Sequence, residues 1–313
     1  MGGLLIKQHE SLISTDLISK YLHELDLKEK TKENYERNIS YFLDYLNSNE
    51  VIQVTKQVIL DYKRHLVSKN LSINTINAYL VALKNLYKWL EVNEISNDLS
   101  KHVKLLKNTR NFTKGSLSVN QVVELLNGID TSNLKGLRDY AIILLFVSTA
   151  LRGFELSNAD IEDIKEIKGK SVLFIQGKGR DSKDEFVILE RDTLNAITSY
   201  LKASGRTLKD TGAIFKGTAK SLNTRLEKGS ISRMVKSRMK DIGIDSSYFT
   251  CHSLRHSALS IALESGSPLL QVQSLARHSS LNTTSLYLHN LNRLDNGSEQ
   301  VILGALKGAS LNG

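Results

Sequence analysis

Seven side chains from residue 152 onward are of types that act together on a phosphodiester: Arg152, Glu155, Lys178, His252, Arg255, His278 and Tyr287. A phosphodiester carries negative charge on its non-bridging oxygens, and that charge grows in a pentavalent transition state. Two guanidiniums can grip those oxygens bidentately, which no other side chain does as well. A phenol, with a pKa of about 10, is a usable nucleophile and a fair leaving group in the reverse step. A lysine at a hairpin tip can protonate the departing oxygen, and histidines can relay protons or donate to the phosphate. Such a set needs no metal and no cofactor, because cationic side chains carry the charge. Each residue alone also has a plainer explanation. Arg152 and Glu155 have the i,i+3 spacing of a helical ion pair, Lys178 suits a solvated turn, and Tyr287 lies between Leu286 and Leu288 as a core tyrosine would.

The elements that must position this set read as mainly helical. Tyr35, Ile39, Phe42, Leu43 and Leu46 mark one face of a helix, with Thr31 ahead of it as N-cap. Further helices are predicted around Val58 to Val67 and along Tyr79, Leu83, Leu86, Tyr87 and Leu90, with Trp89 packed in the same bundle. Residues 107–116 are polar, basic and end in Gly115-Ser116, which places an interdomain linker there. Beyond it Ser118 is an N-cap, and Ala141 to Leu151 is a near-continuous apolar run suited to a central helix. The period then changes: Ser171–Gln176 and Glu185–Leu189 read as strands joined by the turn 177–184. From Asp192 onward the pattern is helical, with loops at Gly205, Gly212, Gly229 and Gly243.

Composition narrows the classes. The 313 residues suit two domains, and 41% hydrophobic with 24% charged residues excludes a wholly disordered chain. Cys251 is the only cysteine, so an intramolecular disulfide and a cysteine-rich metal module are excluded, and a reducing, cytoplasmic interior is expected. The run Ala141 to Leu151 falls short of the roughly 20 residues of a membrane span, so no membrane partner is expected. Met1 to Leu12 has neither signal-peptide nor lipidation character. The net charge is +9, and Lys202 to Arg255 alone holds 12 basic against 4 acidic residues, a balance suited to a polyphosphate partner. Nucleotide motifs fail: Gly169-Lys-Ser171 has Ile164 where a P-loop needs glycine, and Gly177-Lys-Gly179 opens no helix. His252 and His256 have a legal spacing for two metal ligands but lack an HExxH glutamate and a third ligand, so no metal site is expected.

In combination these motifs resemble the tyrosine recombinases, the phage integrase family, over about residues 13–290. Thr149-Ala-Leu-Arg-Gly-Phe-Glu-Leu156 resembles the box T-G-L-R-x-x-E-L, and Gly177-Lys-Gly179 the lysine hairpin. His252-Ser-Leu-Arg-His-Ser257 resembles H-x-L-R-H. Ala276-Arg-His-Ser-Ser280 with Thr283-Thr-Ser-Leu-Tyr287 resembles L-G-H-S-S followed by T-T-x-x-Y. Thr31–Tyr35 and Ser72–Asn77 resemble helix starts of the family's core-binding domain. Two positions depart from the pattern, because Ala150 and Arg277 stand where the boxes carry glycine. Ala150 is expected simply to favour helix. Arg277 adds a cation beside His278, expected as a phosphate contact or as the mark of a different tyrosine placement.

The resemblance implies a mainly α fold with a small β-sheet. A helical core-binding (SAM-like) domain over 13–106 and a mixed α/β catalytic domain over 117–297 would close on DNA as a C-shaped clamp. It implies Tyr287 as the nucleophile of a 3′-phosphotyrosyl link and Arg152 and Arg255 as phosphate ligands. Lys178 would be the general acid, with His252 and His278 assisting and Glu155 orienting its neighbours. It further implies double-stranded DNA with an inverted-repeat core site, a homotetramer on two duplexes, a Holliday junction, no cofactor and nucleoid association. Residues 298–313, with an apolar stretch from Val301 to Leu306, would form a tail docking on a neighbouring protomer. A DNA-relaxing enzyme using the same nucleophile and a catalytically silent architectural DNA-binding protein stand as alternatives.

Overall fold

The computed structural model describes residues 13–107, 115–177, 180–217, 224–244, 249–277 and 284. Most of the expected linker, the tail 298–313, Lys178, His278 and Tyr287 lie outside the described residues. The chain divides into two units, residues 1–111 and 112–313, each described by itself.

The first unit holds the helices α1 (Thr15–Glu24), α2 (Glu29–Ser48), α3 (Lys56–Ser68) and α4 (Ile73–Val92). Hydroxyls of Ser14, Thr55 and Ser72 accept the N–H groups of Leu17, Val58 and Thr75, capping α1, α3 and α4. Along α2 the expected spacing buries Ile39, Phe42 and Leu46, and α2 packs on α4. Thr31 is not its cap. The helix starts at Glu29, where the pair Lys32–Glu29 at 3.3 Å supports an earlier first turn and an acidic side chain suits the helix N-terminus. Trp89 packs edge-on against Tyr21, centroids 5.5 Å apart, while its Nε1 donates to Glu24 at 2.8 Å. Phe42 and Tyr62 meet edge-to-face in the same core.

In the second unit α5 (Val119–Asn127) begins with the capping box of Ser118 and Gln121. The apolar run forms α6 (Leu134–Thr149), whose Ile142, Leu145 and Phe146 are fully buried. A short α7 (Gly153–Ser157) and a 3₁₀ turn follow. The sheet then forms from β1 (Ile164–Ile167), β2 (Lys170–Ile175) and β3 (Glu185–Ile188), antiparallel in the order β1-β2-β3. Register sets Leu173 opposite Ile164 on one side and Val187 on the other. The β2–β3 hairpin follows the expected pattern. β1 was not expected, because Ile164-Lys-Glu-Ile167 has no period of two.

Four helices complete the unit: α8 (Arg191–Ala203), α9 (Lys228–Asp241), α10 (Cys251–Glu264) and α11 (Leu269–Ala276). Both α8 and α10 pack against α6. Gly205, Gly212 and Gly243 are at positive φ in turns, but Gly229 is helical, the second residue of α9, against the loop expected there. It lies in a turn whose burial comes from Ile231, Val235 and Met239, and those residues extend the helix through it.

Gly136 in the first turn of α6 has a steric reason. A Cβ there would stand 1.7 Å from the Asp130 carbonyl oxygen and 2.8 Å from its carbon. Alanine gains about 1 kcal/mol in helix propensity, yet backbone displacement at a packed site costs about 1–3 kcal/mol or more. The clash wins at this distance. Gly136→Ala is expected to lower the urea midpoint of the second unit; an unchanged or raised midpoint would show that the Asp130 turn yields freely.

Candidate active site

The end of α6 begins the site. Ala150 caps α6 in the left-handed region at φ 50°, ψ 36°. The chain turns there and presents Arg152 as the N-cap of α7. Glu155, in the first turn of α7, reaches back to it. One carboxylate oxygen of Glu155 accepts the Arg152 backbone N–H at 2.7 Å, and the other accepts the Arg152 guanidinium at 2.6 Å. The Glu155 side chain is fully buried, whereas that of Arg152 retains 26% exposure. The expected helical ion pair is therefore present, as one corner of a larger arrangement.

Arg277 completes that arrangement. It caps α11 at φ 52°, ψ 48°, so both positions where the family boxes carry glycine are left-handed turns. Ala150 consequently does not extend its helix, contrary to expectation. The Arg277 side chain is 7% exposed and turns inward, donating to Glu155 at 2.9 Å, to Leu275 O at 2.8 Å and to Ala150 O at 3.0 Å. Its guanidinium is thus engaged with Glu155 and backbone carbonyls, while His278 lies outside the described residues. Glu155 lies between two guanidiniums, and the Arg152 guanidinium touches the Arg277 carbonyl at 3.4 Å. Burial raises the proton affinity of Glu155, but the Arg277 charge, the Arg152 amide and the Arg152 guanidinium outweigh it and hold the carboxyl below its ordinary value. Burial pulls the Arg277 guanidinium down, with Glu155 opposing.

Because the Glu155 pKa is depressed in the fold, its contribution to stability is fully present above its ordinary value of 4.5. That contribution fades as pH falls through the lower folded value. Glu155→Gln is expected to be less stable than the parent at pH 7, with the gap closing below that value. Urea midpoints measured from pH 7 down to pH 3 check this; a gap independent of pH would remove the charge from the account.

Arg255 comes from α10, which Thr250 caps and which carries His252 at its exposed start. Arg255 is 1% exposed, and its guanidinium donates to the Ala150 and Ala276 carbonyls. It therefore bridges the ends of α6 and α11. His252 and His256 meet edge-to-face at 4.5 Å. Among the described residues no three His, Cys, Asp or Glu side chains group as a metal site.

The hairpin that bears Lys178 is anchored on both sides of it. Gln176 donates to Arg180 O at 2.8 Å and accepts from Asn158 at 3.3 Å. On the returning arm, Lys183 pairs with Asp160 at 2.7 Å and also with Asp163. Burial would lower the Lys183 pKa, but hydrogen bonds to both aspartates outweigh it and raise it. These anchors were not foreseen; the charged run Asp181-Ser-Lys-Asp184 was their signal. An open groove of about 1080 Å³ runs between β3 and α11, lined by Arg152, Arg180, Glu185, Ser274 and Arg277. The structure thus brings together Arg152, Glu155, Arg255 and Arg277, with His252 on the helix that carries Arg255.

Residues 116–293 match the phage integrase family, and residues 16–97 match the phage integrase N-terminal SAM-like domain. The chain is 27% identical over 286 residues to tyrosine recombinase XerD of Listeria innocua, covering 88% of this chain and 94% of that protein. It is 30% identical over 278 residues to tyrosine recombinase XerA of Pyrococcus furiosus, covering 89% of this chain and 91% of that protein. Among solved structures, it resembles XerH recombinase bound to its palindromic difH substrate after cleavage (TM-score 0.69, 20% identity, 87% of this chain and 80% of that one). It also resembles a lambda integrase dimer bound to a COC′ core site (TM-score 0.68, 16% identity, 89% of this chain and 96% of that one). These likenesses bear out the mainly helical fold with a small sheet. The relatives are named as recombinases, so neither the DNA-relaxing nor the architectural alternative gains from them. The chain belongs to the phage integrase family as a tyrosine recombinase, an enzyme that cuts and rejoins DNA.

Proposed function

We propose that this enzyme performs site-specific recombination through a 3′-phosphotyrosyl intermediate formed by Tyr287. The single observation that carries the reading is the convergence of Arg152 and Arg255 on the turn at Ala150, with Arg152 facing a groove. In this reading Arg152 and Arg255 bind the scissile phosphate, and Glu155 fixes the orientation of Arg152. The Tyr287 oxygen attacks phosphorus, and a P–O bond forms as the P–O5′ bond breaks. Lys178 gives its proton to the leaving 5′-oxygen, while His252 and His278 take the phenol proton and donate to the phosphate. Bond types are conserved, so a 5′-hydroxyl from a second duplex reverses the step and completes the exchange without an energy source.

Residues 13–106 serve as the core-binding domain and 117–297 as the catalytic domain. The partner is double-stranded DNA with an inverted-repeat core site, held by a homotetramer on two duplexes through a Holliday junction. Residues 298–313 dock on a neighbouring protomer, and the enzyme works on DNA in the cytoplasm. Support comes from the basic stretch Lys202 to Arg255 and from neighbours solved on DNA, XerH on its palindromic difH substrate and lambda integrase on a COC′ core site. No helix among the described residues is long and apolar enough to cross a membrane. The test uses nicked suicide duplexes drawn from DNA flanking the gene, incubated with protein and EDTA and run on denaturing gels. A protein–DNA adduct resistant to EDTA is expected. Binding without any adduct overturns the reading.

A further inference from the structure

Arg277 stands where a glycine would be free of cost. A non-glycine residue in the left-handed region is strained, and this one also buries a guanidinium. Burial of a charge is unfavourable unless pairing compensates it. Here compensation is incomplete among the described residues, where Nε of Arg277 is buried without a hydrogen-bond partner. The arrangement is costly for a residue that only fills space.

Its effect on charge is specific. Arg152 and Glu155 alone form a neutral pair at 2.6 Å, and a neutral pair attracts a phosphate weakly. Arg277 donates to the same carboxylate, on the oxygen that already takes the Arg152 amide. Two guanidiniums against one carboxylate leave this three-residue cluster net positive, at the edge of a groove that Arg152 and Arg277 line together with Arg180 and its partners Asp184 and Glu185. The same side chain also ties the end of α11 to the Ala150 turn, from which Arg152 projects.

We propose that Arg277 is a positioning residue for phosphodiester cleavage: it takes up the charge of Glu155, so that Arg152 faces the scissile phosphate fixed in place and electrostatically uncancelled. This rests on the reading of Arg152 as a phosphate ligand. The experiment measures single-turnover adduct formation on a nicked suicide duplex with either an ordinary phosphodiester or a methylphosphonate at the scissile position. The methylphosphonate lacks the negative charge that Arg152 would meet. Arg277→Gly relieves the backbone, and Arg277→Met keeps volume without charge. Both are expected to melt near the parent temperature and bind the duplex within a few-fold, yet to cleave about 10- to 100-fold more slowly, below the loss expected for a direct donor to the reacting oxygen.

Arg277→Lys, which restores charge, is expected to recover most of the rate and serves the same test if the other variants do not fold. On the methylphosphonate the gap between parent and variants should shrink to a few-fold. Parent-like cleavage by Arg277→Gly, or an equal defect on both substrates, overturns the proposal in favour of packing alone. Arg152→Lys in the same assay separates the two levels. Full activity there overturns the reading of Arg152 and with it this one, whereas a slow Arg152→Lys beside a fast Arg277→Gly overturns only the role of Arg277.

Discussion

Tyr287→Phe is expected to bind its duplex as the parent does and to leave no adduct on a denaturing gel. The substitution keeps the ring and removes one oxygen, the atom that the proposed mechanism bonds to phosphorus. Arginines that stabilise the transition state have nothing to stabilise without an attacking group, so the loss is not shared among neighbours. Removal of a nucleophile from a cooperating set costs on the order of 10⁴-fold or more, which places residual cleavage below detection. Binding is preserved because phosphate contacts from many Lys and Arg residues supply most of the affinity. An adduct that persists in Tyr287→Phe would move the nucleophile to another residue. Lost binding would make Tyr287 structural.

The second large effect lies away from the chemistry. Asp139, on α6, is fully buried between two arginines: Arg138 at 2.7 Å, itself only 6% exposed, and Arg238 from α9 at 2.8 Å. Arg238 approaches the same carboxylate oxygen through two nitrogens, and Arg138 also donates to Lys216 O. Asp139→Ala leaves two guanidiniums facing each other with the carboxylate gone. Breaking a buried pair from one side costs about 3–5 kcal/mol, against a total stability of about 5–15 kcal/mol for a domain. Asp139→Ala is therefore expected to unfold the second unit at physiological temperature or to lower its urea midpoint severely. Arg238→Ala, whose side chain is 20% exposed, is expected to cost less. Equal midpoints for parent and Asp139→Ala would show that water replaces the carboxylate.

The parts of this molecule that were legible in sequence are those in which local pattern and tertiary burial agree. Ile39, Phe42 and Leu46 repeat at helical spacing and are buried together. Ser118 announces a helix start, and the short apolar runs 172–175 and 186–189 on either side of a glycine-bearing turn announce the hairpin. β1 was hidden because its backbone bonds to β2 form without an alternating face. Thr31 misled because hydroxyls favour caps, while charge pairs began the helix earlier. At the site, the pairing of Arg152 with Glu155 was readable from a spacing of three. The inward turn of Arg277 was not, because cations are ordinarily exposed and its partners Glu155 and Ala150 are 122 or more residues away in sequence. Its one local signal was its place directly after Ala276, where the family pattern has glycine.

Arg255 joins the last carbonyls of α6 and α11 through one guanidinium. If Arg255 binds phosphate as proposed, cutting power and local order become one quantity. Proteins open locally far more often than they unfold globally, and helix ends are the first to fray. Every excursion that frays α11 takes the Ala276 carbonyl from Arg255 and spoils the corner from which Arg152 projects. On the proposed roles of Arg152 and Arg255, a copy frayed at this corner would keep its basic surface but carry a disarmed pocket, and strand breakage would be confined to molecules whose fold is closed there.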